Sequence, residues 1–126
     1  MTLDEAILLA DESNPNLIDR ARKIEWLSRL DQWIWEQVIS RHWPDRDTPK
    51  TWQAYTQETD PDTALLVPEP YGEMYVHYLN MQAQHINQET DKYNQSLMLY
   101  MSQRNQYTRD YQRRHRVRRC LDHLQF

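Results

Sequence analysis

Between Tyr71 and Tyr111 twelve side chains recur at steps of three or four: Tyr71, Tyr75, Tyr78, Gln82, Ile86, Glu89, Tyr93, Leu97, Tyr100, Arg104, Tyr107 and Tyr111. That is the step of one helical face. The stripe holds seven of the chain's eight tyrosines, and its ordinary meaning is the buried seam of a helical hairpin, not a reaction centre. It follows an apolar extended segment, Leu65-Leu66-Val67-Pro68-Glu69-Pro70-Tyr71, in which Pro70 stands where a first-turn proline belongs. A single glycine, Gly72, argues against a sheet-rich fold, which needs many tight turns. The expected fold is therefore all-α: a helical bundle with a long C-terminal helical hairpin, or one long helix, and an extended central loop.

The length of 126 residues fits one domain, 1–126, that buries roughly two-thirds of its unfolded surface. In order, Thr2 and Glu5 form a capping-box pair, and Leu3, Ala6, Ile7 and Ala10 share a face, which predicts a helix over 3–12. Ser13-Asn14-Pro15-Asn16 breaks it. Asn16, with Asp19 three residues on, reads as the start of a second helix over 17–42. The latter half of that helix is apolar nearly all round, with Leu27, Leu30, Trp33, Ile34, Trp35, Val38 and Ile39. Its tryptophans either pack within the monomer or turn one side to another subunit.

Residues 43–69 change character. Four prolines (Pro44, Pro49, Pro61 and Pro68), several Asp and Thr and no helical period predict a long extended loop, a kind of segment that is usually functional. Residues 70–115 carry the hairpin pattern, with a break expected near Ile86 to Thr90, where Asn87 is a C-terminal signal and Thr90 a candidate cap. Residues 116–126 form a basic tail ending in Leu121, Leu124 and Phe126.

Charge is divided along the chain. Residues 1–70 hold fourteen acids against seven bases (−7), and residues 71–126 hold five acids against eight bases (+3). Ends of opposite sign can stack head to tail or dock on a partner of the other charge. One cysteine, Cys120, rules out an internal disulfide and fits a reducing compartment. The acidic start and the absence of a long apolar run predict a soluble intracellular protein without leader or membrane span.

No catalytic constellation is visible: there is no Gly-rich phosphate loop, nucleophile elbow or paired metal histidines. His77 and His85 are too far apart along a helix to chelate. Cys120 and His123, with His115 outlying, fall short of a closed four-ligand set. Glu69 and Glu73 read as favourable charges at a helix start. No enzyme, metal or cofactor is expected.

The candidate contact residues are of two kinds. Trp52, Tyr55, Leu65, Leu66, Val67 and Tyr71 are apolar side chains in or beside the extended loop. A chain with few aliphatics has limited room for them, so a subunit or partner interface is expected. Arg113, Arg114, Arg116, Arg118 and Arg119 are either a solvated helix end or a basic tail contacting a partner or DNA.

The segment Leu65 to Tyr71 followed by Met74-Tyr75, then Gln84 to Asn87 and Tyr93-Asn94-Gln95-Ser96, with Lys23-Ile24-Glu25-Trp26-Leu27 and Glu36 upstream, resembles the head-tail connector, or adaptor, proteins of tailed bacteriophages and prophages. The resemblance covers most of residues 1–115 and leaves the basic end aside. It implies a mostly helical subunit that forms a homo-oligomeric ring and joins the portal and head to tail and neck proteins. It further implies residence in the virion neck after synthesis in the host cytoplasm, possible non-specific contact with packaged DNA, and no membrane. From the residues alone, a small helical nucleic-acid-binding or regulatory protein remains the alternative.

Overall fold

The structure is a computed structural model that describes residues 1–44 and 48–116. It is all-α, with four helices: α1 (Leu3–Ser13), α2 (Arg20–Ile34), α3 (Glu73–Ile86) and α4 (Thr90–Arg114). A π-helical turn, Trp35–Ile39, continues α2.

α1 starts as its sequence dictates. The Thr2 hydroxyl accepts a hydrogen bond from the Glu5 amide at 3.1 Å, satisfying one of the donors that a helix start leaves free. Leu3, Ala6, Ile7 and Ala10, the face read from the spacing, are its buried residues. Pro15 then bars the helical conformation at Asn14, and the helix stops.

The second helix departs from the expected 17–42. Asn16 does not cap it; its side chain folds back locally, accepting from the Ile18 amide and donating to the Asn14 carbonyl. The helix begins only at Arg20. Its regular winding ends at Ile34, and the next turn closes on a bond from the Ser40 amide to the Trp35 carbonyl. That wide turn lets Val38 and Ile39, neighbours in sequence, both reach the core beside Ile34. Trp26 is buried and Trp35 half-buried, whereas Trp33 is exposed and lies under the Arg104 guanidinium, 4.8 Å from its ring centre.

The long connection from α2 to α3 contains no helix among its described residues. Its far end is tied to the N-terminus by an antiparallel bridge between Thr2 and Ala64, flanked by bonds from the Leu3 amide to the Thr63 carbonyl and the Leu65 amide to the Met1 carbonyl. Pro70 does not open the third helix as expected. The peptide bond before it is cis, and α3 begins at Glu73 after Gly72.

The hairpin forms as two helices. α3 ends at Ile86 with Asn87 as its cap, Gln88 takes a left-handed conformation (φ 57°), and the Glu89 amide returns to the Gln84 carbonyl at 2.9 Å. Thr90, expected as a cap, is the first residue of α4. Tyr71–Tyr107, Tyr78–Tyr100 and His85–Tyr93 meet ring to ring along the hairpin. Tyr75 leaves this seam and turns toward α2, while Ile86 is exposed.

Candidate assembly surface

The site is built on a carboxylate that no solvent reaches. Asp31 occupies a core position of α2, on the face that also buries Ile24, Leu27, Ile34 and Val38, and its exposure is 0%. Burying a carboxylate is expensive unless its oxygens are hydrogen-bonded. Here the Tyr55 hydroxyl donates at 2.5 Å and the Leu66 amide at 3.1 Å to one oxygen, and the Tyr75 hydroxyl donates at 2.6 Å to the other. The Tyr75 hydroxyl in turn accepts from the Val67 amide at 2.8 Å, and Ser28 Oγ accepts from the Tyr55 amide at 3.0 Å.

Burial pushes the Asp31 carboxyl above its ordinary range, against the bonds from Tyr55, Tyr75 and Leu66 that favour its charge. Burial and the neighbouring Asp31 charge push both tyrosine hydroxyls upward, so they stay protonated as donors. This knot fastens the stretch 65–67 to α2 and α3 at once. Asp31 is not among the residues singled out from the sequence. Its signal is a lone acid on an otherwise apolar face, at the spacing that puts Leu27 and Ile34 in the core.

The fastening corrects part of the expected interface. Leu65 and Val67 are buried within their own chain, Val67 completely, and Tyr55 is buried against Asp31. Alternation sends Leu65 and Val67 inward, while the backbone between them is held by Asp31. These three residues therefore face their own core, not a neighbour. Trp52 is half-buried and packs edge-to-face on Tyr55 at 5.9 Å. Leu66 and Tyr71 remain half-exposed.

Leu66 and Tyr71 line an open groove of about 430 Å³, with Pro68 on the same wall. Tyr107, Tyr111 and Arg114 of α4 form the opposite wall. Tyr111 stacks on His115 at 3.9 Å and meets His42 edge-on at 5.2 Å. The groove is thus an aromatic and proline-lined trough that also carries Arg114 and the acids Glu69 and Asp110, and the Leu66 backbone beside it is held from behind by Asp31. Of the predicted residues, the structure brings Leu66, Tyr71 and Arg114 together there.

The other arginines divide. Arg113 is exposed and pairs with Asp110 one turn back on α4. Arg116 is exposed, and its carbonyl accepts from the Trp43 amide at 2.8 Å. Arg118 and Arg119 lie outside the described residues, as do Cys120 and His123. Among the described residues no three His, Cys, Asp or Glu side chains are grouped to hold a metal ion, and no helix is long and apolar enough to cross a membrane. His77, half-buried on α3, is pushed downward by burial, opposed by Glu73. Comparison with protein-family models, with curated proteins and with solved structures returned no match.

Proposed function

We propose that the chain is a non-catalytic structural subunit of a phage neck, an adaptor that forms a ring and joins the portal and head to the tail. The family reading rests on the sequence resemblance. The observation that carries it to a surface is the aromatic groove between the proline wall and the end of α4. An open trough lined largely by aromatic rings and prolines suits an extended segment of a neighbouring protein, which gains apolar contact there and polar contacts at Arg114, Glu69 and Asp110. The chemically richest group, Asp31, is sealed from solvent and holds backbone in place, which suits a scaffold.

The test is co-sedimentation of the purified chain with an isolated portal ring, with mass measured in solution. Wild type is expected to travel with the ring, and Tyr71→Ala, which strips one groove wall, to bind several-fold more weakly. A wild type that ignores the portal, or a Tyr71→Ala variant that binds as well as wild type, overturns the reading.

The exposure of Arg113, Arg114 and Arg116 at one end of α4 favours the second reading, a nucleic-acid-binding protein. A gel shift with duplex DNA that weakens steeply with salt would support it.

A further inference from the structure

An extended chain can lie in the groove beside Leu66 and Tyr71 in two ways, as an added strand or as a polyproline II helix. An added strand needs a row of free backbone amides and carbonyls along one wall. That row is missing. Pro68 and Pro70 have no amide, and the amides of Leu66, Val67 and Tyr71 are spent inside the chain, on Asp31, the Tyr75 hydroxyl and the Pro68 carbonyl. Of residues 66–71 only the Glu69 amide is left, and the opposite wall is the flank of α4, which presents side chains. A strand laid here would bury its own amides against rings with nothing to receive them, which is costly.

What the groove does offer is rings. Tyr71 and Tyr107 stand 5.8 Å apart and Tyr107 and Tyr111 5.9 Å apart, edge-on or tilted, and His115 backs Tyr111 in a parallel stack. A polyproline II helix has no internal hydrogen bonds, keeps its backbone in solvent and rises about 9 Å per turn of three residues. Its prolines lack amides, so none is stranded on the rings. One turn of Pro-x-x-Pro reaches from the Tyr71 end of the row to the Tyr111 end. Being stiff before it docks, such a segment also loses little conformational entropy.

Charge adds a direction. Asp110 is occupied by Arg113. Glu69 lies at the Tyr71 end with its carboxylate against Gly72, and its side chain is 61% exposed although the Met1 amine stands 3.8 Å away. Arg114 is exposed at the His115 end and has no ion pair among the described residues. Its guanidinium supplies donors to carbonyls that a proline-rich chain leaves unpaired, and Glu69 suits a basic residue at the other end. We infer that the groove receives a proline-rich segment of a partner protein, in polyproline II conformation, with a lysine or arginine seated at Glu69. This rests on the groove's role as a docking surface and names the chemistry of what docks.

The probe is a synthetic oligoproline peptide with one terminal arginine, titrated against the chain by fluorescence anisotropy while the tyrosine ring signals are followed by NMR. Saturable binding that moves the Tyr71, Tyr107 and Tyr111 rings is expected. An alternating Val-Thr peptide of the same length, bearing the same arginine, should bind several-fold more weakly. Glu69→Gln, an exposed change expected to keep wild-type helicity, should weaken the arginine peptide several-fold and leave an oligoproline without arginine unaffected. No saturable oligoproline binding, equal binding of the Val-Thr peptide, shifts confined to other tyrosines, or a Glu69→Gln effect that is the same for both oligoprolines overturns the inference. Portal capture is measured separately. A chain that travels with the ring but ignores the peptide removes this occupant and leaves the adaptor reading standing, and one that takes the peptide but ignores the ring does the reverse.

Discussion

Tyr78 and Tyr100 meet across the hairpin with ring centres 5.2 Å apart. Tyr71 with Tyr107 lies one heptad toward the open end, and His85 with Tyr93 one heptad toward the turn. Each step of seven along α3 is matched by seven back along α4, so the register is constant over the three rungs. Two antiparallel helices hold such a register when the same seven-residue repeat faces both ways. Ser96 Oγ donates to Gln84 Oε1 at 2.7 Å between the rungs, fixing the pairing by a polar contact that a slipped register would lose.

Tyr100 is the central rung and is 6% exposed. Truncating a buried aromatic costs about 3–5 kcal/mol. Tyr100→Ala is therefore expected to lower the unfolding midpoint in urea sharply with little change in slope. A midpoint close to wild type would show that the seam contributes little.

Asp31 gives the protein a pH signature. Its carboxyl is pushed upward by burial in the fold, so between the unfolded value near ~4 and the higher folded value the native state holds more protons than the unfolded chain. Its contribution to stability is then complete below that unfolded value and is lost as pH rises through the folded one. Asp31→Asn cannot ionise. Unfolding free energy measured from acid to neutral pH should shift progressively in favour of the variant as pH rises, whatever the other carboxylates do. A wild-type-to-variant difference that does not move with pH would rule this out.

Gln88 holds the hairpin turn at φ 57°, a region that side chains with a Cβ enter at a cost of about 1–2 kcal/mol per residue. Gln88 is exposed and its side chain makes no hydrogen bond among the described residues. Gln88→Gly should relieve the strain, less the added freedom of the unfolded chain, for a net gain of about 0.5–1 kcal/mol. Thermal melting a few degrees higher is the expected result; a lower melting temperature would contradict it.

What was legible in the sequence follows the range of the interactions. The start of α1 depends on Thr2 and Glu5, three residues apart, and the hairpin on a step of three and four; both are local patterns, and both formed. The π-helical turn at Trp35 depends on which side of Val38 and Ile39 the core lies, which no local pattern states. Asp31 finds Tyr75 44 residues away, so the knot was invisible until the chain was folded. The same gap explains Leu65 and Val67. Their apolar character was plain, but the room for them is made by helices from both ends of the chain. Leu66 and Tyr71, expected at an interface, are half-exposed in the single chain.

Neighbouring positions of the fastened stretch should therefore respond in opposite ways to the same substitution. Val67 is 0% exposed, and its amide donates to the Tyr75 hydroxyl. A carboxylate there would be buried without a partner beside Asp31, and a charge in such a place costs several kcal/mol even after the protein relaxes. Val67→Asp is expected to unfold the domain or to lower its melting temperature drastically. Leu66 also lends its amide to Asp31, but that is backbone and survives substitution, while its side chain is half-exposed on the groove. Leu66→Asp should keep wild-type helicity by circular dichroism, lose no more than ~1–2 kcal/mol of apolar burial, and bind portal rings more weakly. Equal loss of helicity in both variants would mean that Leu66 belongs to the core as fully as its neighbour, and the groove would lose its proline-side wall.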